Sequence, residues 1–245
     1  MKSLRMITLL AALFILGGWT MQAQTVKGNG NIVTRNFDVT GFNEVNTILP
    51  ATINYTVSDD YSCRVTLDEN LFDYLAIQCK GDELDLGYVY EKVQHTNLTP
   101  TAFVIELSAP AIEQISVVGS GDFCFVTPFE SHKLKVKTAG SGNVVFKEPA
   151  NIHHFEMKIA GSGRLKCKEF HADYVNLNIA GSGMMNIEAG KVNKADVSVA
   201  GSGMVETRCE MESMNYSIAG SGMIRYLGDV KVSGHNIGGK IGRID

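Results

Sequence analysis

The sequence predicts an all-β protein: a parallel β-helix, or solenoid, with coils of about 20 residues. Three observations predict it. A Gly-Ser-Gly tripeptide recurs six times, its spacing is nearly constant, and apolar and polar side chains alternate on both sides of each copy.

The copies are Gly119-Ser120-Gly121, Gly140-Ser141-Gly142, Gly161-Ser162-Gly163, Gly181-Ser182-Gly183, Gly201-Ser202-Gly203 and Gly220-Ser221-Gly222, spaced by 21, 21, 20, 20 and 19 residues. Composition alone does not produce such regularity. Two glycines around a small serine make a bend tight enough for copies of itself to stack.

Before the tripeptides stand segments such as Leu134-Lys135-Val136-Lys137-Thr138-Ala139 and Val175-Asn176-Leu177-Asn178-Ile179-Ala180, which have the two-residue rhythm of a strand with one buried face. After the tripeptides, Phe123, Val144, Leu165, Met185, Val205 and Ile224 fall in one inward column. Phe125, Phe146, Cys167, Ile187, Thr207 and Tyr226 fall in the next. Twenty residues at ~3.3 Å each close a loop of roughly 65 Å, enough for three short faces, and loops ~4.8 Å apart would pair each strand with its copy in the next coil.

Other repeats fit less well. The Leu-x-x-Leu-x-Leu spacing of leucine-rich repeats and the nine-residue period of calcium-binding solenoids are absent, and propeller blades need about 40 residues each. An antiparallel meander gives no reason for one identical corner per 20 residues. A single coil buries too little to offset its own ordering, so the coils must stabilise one another and the ends need caps.

Residues 24–118 are strand-rich but irregular, and read as early rungs continuous with the regular ones at 119–233; residues 234–245 read as a C-terminal cap. One domain over 24–245 is expected, with a separate N-terminal β-sandwich as the alternative. Gly28-Asn29-Gly30 echoes the tripeptide, and Glu69–Leu75 suits a helical turn or a bulged connection.

Met1 to Arg5 is basic, Met6 to Trp19 is apolar, and Ala23 supplies a small residue: residues 1–23 have the grammar of a cleaved export signal. The apolar run is too short for a membrane span and is broken by Gly17 and Gly18. Without Lys2 and Arg5 the chain carries 20 basic and 26 acidic residues, a charge of −6, which argues against nucleic acid as a partner. Five cysteines, Cys63, Cys79, Cys124, Cys167 and Cys209, lack the close spacing of zinc ligands and read as small core residues, with Cys63 and Cys79 the bridge to test.

From Val26 to the end of the tripeptide array, the chain resembles the bacterial putative auto-transporter adhesin, head GIN domain family. The residues that carry the resemblance are Val26-Lys27-Gly28-Asn29-Gly30, Phe37-Asp38, Gly41-Phe42, Asp68-Glu69-Asn70-Leu71 and the passage from Pro110 to Ser120. The resemblance implies a right-handed parallel β-helix in the cell envelope, and it brings no catalytic residues.

Many β-helices cleave acidic polysaccharides, chemistry that needs paired carboxylates. In the regular array the acids fall in different columns; Glu156 and Asp196 share one but with Asn176 between them. His153-His154 would point to opposite faces in regular strand and so could not easily share a metal there; they read as a solvent-facing or turn pair, and the tripeptide serines lack a repeating His or Asp partner. No cofactor or metal is expected. Met184, Met204 and Met223 follow the last three tripeptides, where earlier coils have Asp122, Asn143 and Arg164, and form a candidate partner strip. The expectation is a non-catalytic, exported, adhesin-like module in the periplasm, on the outer-membrane surface or outside a Gram-negative cell. Its partner is a protein, glycan or lipid, or another copy of the chain. The alternatives are a polysaccharide-cleaving enzyme and a purely structural envelope protein.

Overall fold

The computed structural model describes residues 24–94 and 96–244; the expected leader, residues 1–23, lies outside them. Stacked parallel coils form a β-solenoid of about seven turns. Two sheets, of ten and eleven strands, run the length of the stack and include strands from both halves of the chain.

Each regular coil contains a long strand, the glycine corner and a short strand. Ala150–Gly161 leads through Ser162-Gly163 into Arg164–Cys167, and Phe170–Gly181 leads into Met184–Ile187 in the same way. The long strand turns midway. Burial alternates through Ile152, both His153 and His154 are exposed, and alternation resumes at Phe155. One strand thus covers two faces of the coil and the short strand covers the third.

The inward columns form as the alternation requires. Phe123 pairs with Val144, Val144 with Leu165, Leu165 with Met185, Met185 with Val205 and Val205 with Ile224, all buried. In the next column the rings of Phe125 and Phe146 stack at 4.2 Å, Tyr55 packs edge-on against Phe125 and Phe129, and Phe129 lies tilted against Phe125. The Tyr55 hydroxyl donates to the Ala109 carbonyl at 2.9 Å, so its burial leaves no orphan donor.

The N-terminal end is built differently. Glu44–Thr47 and Thr52–Val57 continue the parallel sheets, but Ser62–Asp68 pairs antiparallel with both Ile32–Phe37 and Phe103–Ala109, and Leu75–Lys80 pairs antiparallel with Glu83–Tyr88. Glu69–Tyr74 is a 3₁₀ turn, one of the two forms expected there. Gly28-Asn29-Gly30 is not an early corner. It wraps the carboxylate of Asp68, which accepts the Gly30 amide at 2.8 Å and the Thr101 amide at 2.7 Å. A Cβ on Gly28 would meet that carboxyl at 2.2 Å. Burial works against the Asp68 charge, but the Thr101 and Gly30 amides outweigh it and hold the carboxyl below its usual value.

At the other end, the segment expected to cap the stack begins another coil. Lys231–Ile237 pairs with Glu210–Ala219, and Lys240–Ile244 pairs with Met223–Leu227, both in parallel. Their outer edges carry no further strand among the described residues.

The corner itself explains the tripeptide. Gly161 has φ +124°, and a Cβ there would lie 2.4 Å from the Gly140 carbonyl oxygen. A Cβ on Gly163 would lie 2.5 Å from the Gly142 oxygen. Both glycines are therefore required, the first for conformation and contact and the second for contact alone. The Ser162 amide donates to the Gly140 carbonyl at 2.8 Å, and the Ser182 amide donates to Gly161 at 2.9 Å.

Two predictions follow from these contacts. Gly161→Ala and Gly163→Ala should each destabilise the fold by more than ~2 kcal/mol in chemical denaturation, given the cost of positive φ and of overpacking. Gly242→Ala, where the added methyl meets nothing within 4 Å, should be near neutral. Asp68→Asn should lower the urea midpoint at neutral pH. A lowered pKa stabilises the fold above the unfolded value of ~3.9 and that stability is lost as pH falls through the folded value. The gap between Asp68→Asn and the parent should therefore shrink in acid, and a gap independent of pH would show that the charge is not its cause.

Candidate functional site

The serines Ser120, Ser141, Ser162, Ser182, Ser202 and Ser221 are all exposed at the corner. Hydrogen bonding along this stack runs through the serine backbone amides, not through a ladder of hydroxyls. Among the described residues no histidine or carboxylate bonds any of these hydroxyls, so none is activated as a nucleophile.

The residue before each tripeptide points outward. Register places Val118, Ala139, Ala160, Ala180, Ala200, Ala219 and Ile237 in one column along the solenoid, all exposed. Ile48 continues it at the N-terminal side, since Thr47 pairs with Val117. The bulky residues lie at the ends, with Ile48 at 53%, Val118 at 46% and Ile237 at 72% exposure. The alanines between them floor an open groove of about 480 Å³, walled on one side by Ser116, Lys137, Lys158, Asn178 and Ser198. Lys158 leans away, donating to Glu156 at 2.7 Å, and Lys135 approaches the same carboxylate at 3.7 Å. The Lys158 hydrogen bond and then the lysine charges hold Glu156 below the usual carboxylate value despite its partial burial. Lys137 makes no ion pair among the described residues.

Across the corner, Met184 pairs with Met204 and Met204 with Met223, in the column that begins Asp122, Asn143, Arg164. Met184 is 41% exposed, while Met204 and Met223 are half-buried. From Gly181 onward the ridge therefore has apolar columns on both sides, alanine on one and methionine on the other.

Glu156, Asn176 and Asp196 share a column in that order, and Asp196 accepts from Tyr174 Oη and Asn215 Nδ2. That carboxylate pushes the Tyr174 hydroxyl up to about 12. Glu44 and Glu83 are register neighbours in the N-terminal half, a pairing outside the tripeptide array. Gln114 Nε2 donates to Glu44 at 2.6 Å and Asn46 Nδ2 donates to Glu83 at 3.2 Å.

The histidine pair is the solvent-facing turn pair that its sequence suits. His153 and His154 lie at the midway turn, and both are exposed on the outside instead of facing opposite ways. His153 Nδ1 lies 2.7 Å from Asp173 Oδ2. That hydrogen bond, followed by the nearby histidine charges, outweighs the cost of desolvation and keeps Asp173 below its usual value. Among the described residues no three His, Cys, Asp or Glu side chains converge as metal ligands.

All five cysteines are free thiols: Cys63, Cys124, Cys167 and Cys209 are buried and Cys79 is half-buried. Burial pushes the Cys63 thiol up to about 12 and Cys209 up to about 11, far from a reactive thiolate. Cys124 is buried as expected of it, and Cys79 is the one cysteine that falls short of the core. Cys124 lies between inward Phe123 and Phe125, in the outward column with Asn54 and Val145, yet is covered there. No described helix is long and apolar enough to cross a membrane.

Solved structures share this architecture. A Parabacteroides distasonis protein described as a putative lipid binding protein superimposes with a TM-score of 0.75 at 26% identity, covering 91% of this chain and 100% of its own. A putative adhesin from Parabacteroides merdae gives a TM-score of 0.76 at 23% identity, with coverage of 91% and 100%. One from Bacteroides fragilis gives 0.78 at 22%, with coverage of 89% and 100%. No curated protein matches the chain. Residues 41–230, most of the solenoid, match the family described as putative auto-transporter adhesin, head GIN domain. The tripeptide array, the inward columns and this match together make the chain a member of that head GIN domain family.

Proposed function

We propose that the chain is an exported, non-catalytic envelope module whose solenoid holds a rigid binding face, and that this face takes the acyl chain of a lipid in the alanine-floored groove. The observation that carries the reading is the unbroken outward column from Val118 to Ala200, which lines a groove of about 480 Å³. Monomeric proteins normally cover such continuous apolar surface.

Geometry favours an acyl chain over the other partners. Five coils at ~4.8 Å spacing make a floor about 19 Å long. A peptide laid along it repeats its side chains every ~6.6–6.8 Å and falls out of step with the coils. A glycan needs polar partners, and alanine methyls offer none. A hydrocarbon chain needs only continuous apolar contact. Lys137, free of ion pairs, stands at the wall to meet an anionic head group. The Parabacteroides distasonis neighbour described as a putative lipid binding protein supports the reading. So does the family description, which suits a chain exported to the envelope of a Gram-negative cell. An excess of acidic over basic residues disfavours an acidic partner such as nucleic acid.

The test is titration with a fluorescent palmitate analogue. The parent should bind saturably, and Ala160→Glu with Ala180→Glu should weaken binding by at least ~10-fold, equivalent to ~1.4 kcal/mol, at unchanged thermal stability because both positions face outward. Absent binding, or equal binding by the double variant, would refute the groove. Incubation with acidic polysaccharides should release no reducing ends; release would restore the enzymatic reading.

The methionine column supports self-association as a second role. Replacing Met184, Met204 and Met223 with Gln should leave a smaller particle in light scattering than the parent gives. An unchanged size would remove the column from any interface between copies.

A further inference from the structure

The midway turn stacks polar side chains in a column of their own. Register on either side places His132, His153, Asp173, Asn193 and Glu212 at successive turns. Both residues of each turn leave the core, so an imidazole here stands clear of the sheet with a second imidazole on the next coil. The rings of His132 and His153 have centroids 5.4 Å apart. Two imidazoles sharing one tetrahedral ion, with metal–nitrogen bonds of ~2.0–2.1 Å, place their centroids about 5 Å apart.

The third member of the column supplies what a metal-binding histidine needs behind it. His153 Nδ1 faces Asp173 Oδ2 at 2.7 Å, and Asp173 Oδ1 accepts from Asn193 Nδ2 at 3.1 Å. A carboxylate at Nδ1 keeps the proton on that nitrogen, leaves Nε2 as a free electron-pair donor, and fixes the ring. His171 lacks this arrangement, because its Nε2 is taken up by Glu169 at 3.2 Å.

We propose that His132 and His153 form an open surface site for a borderline divalent transition metal such as zinc, copper(II) or nickel, with Asp173 orienting His153 and water completing the coordination. Imidazole nitrogen suits these ions, and hard oxygen-seeking cations such as calcium and magnesium would pass it by. With only two protein ligands the ion is exchangeable, unlike the closed four-ligand sites that hold a fold together. The site lies away from the glycine corner and does not depend on the lipid reading.

Calorimetric titration of the tag-free chain with zinc sulfate tests it. One saturable equivalent is expected, with none for calcium. His132→Gln or His153→Gln should each weaken zinc binding at least ~10-fold, and Asp173→Asn should weaken it ~10–100-fold, as loss of an orienting carboxylate does. His171→Gln should bind like the parent, and thermal melting without metal should show all four variants folded. No saturable binding by the parent, or parent-like binding by His132→Gln or His153→Gln, would overturn the site. So would loss of binding in His154→Gln with His153→Gln unaffected.

Discussion

A methyl group on either glycine of the Gly161-Ser162-Gly163 corner would press into a carbonyl of the coil beneath. This exclusion governs the molecule. Because the backbones touch at Gly140 and Gly161, and again at Gly142 and Gly163, neighbouring coils cannot slip by a residue without driving a Cβ into an oxygen. The corner therefore fixes register, and register turns a sequence repeat into columns. A one-residue slip would send Phe123, Val144 and Leu165 to solvent, so corner and core specify the same alignment independently.

With register fixed, the two sides of the wall have separate roles. The inward columns stabilise: stacked Phe125 and Phe146, then the smaller Cys167 and Ile187, fill the lumen. The outward columns are free to vary, and they change character along the axis, from Asp122 and Asn143 to Met184 and Met204. The ends are also unlike. The first coils are closed by antiparallel strands and by the Asp68 clip, whereas among the described residues no further strand pairs with the outer edges of Lys231–Ile237 and Lys240–Ile244. Lysines and repeated glycine in those edge strands are the devices that discourage pairing with stray chains.

Much of this was legible in the residues, since identical contacts demand identical side chains. The six tripeptides, both inward columns and the methionine column all stand in the expected register. The features that escaped arise where a local rule gives way. The midway turn breaks a strict two-residue rhythm: His153-His154 read as a solvent-facing or turn pair, but that the strand continues through it onto a second face shows only in the phase shift between Ile152 and Phe155. The alanine groove was present in the alternation, since Ala139 and Ala160 occupy outward positions, but alanine is equally at home on either face and so signals nothing by type. Gly28-Asn29-Gly30 misleads for the opposite reason. The composition of the corner recurs there, but the force acting is the demand of a buried carboxylate for amide donors, with its partners in Asp68 and Thr101 dozens of residues away. Cys124 shows that burial can come from neighbouring side chains closing over an outward position.

Columns also bear on what such a scaffold does. A catalytic centre needs unlike groups converging on one point, whereas stacking in register delivers like groups along a line. Lines suit extended ligands: a hydrocarbon chain meets the same methyl at every coil, and each added coil lengthens the contact without redesign. Chemistry at a point arises only where a column changes residue type between neighbours, as it does where His132 and His153 give way to Asp173. That change supplies two nitrogen donors and an orienting acceptor within three coils, the set on which the proposed ion site rests. The groove and the histidine turn therefore read as two consequences of one geometry, the first from a column that stays the same and the second from a column that changes.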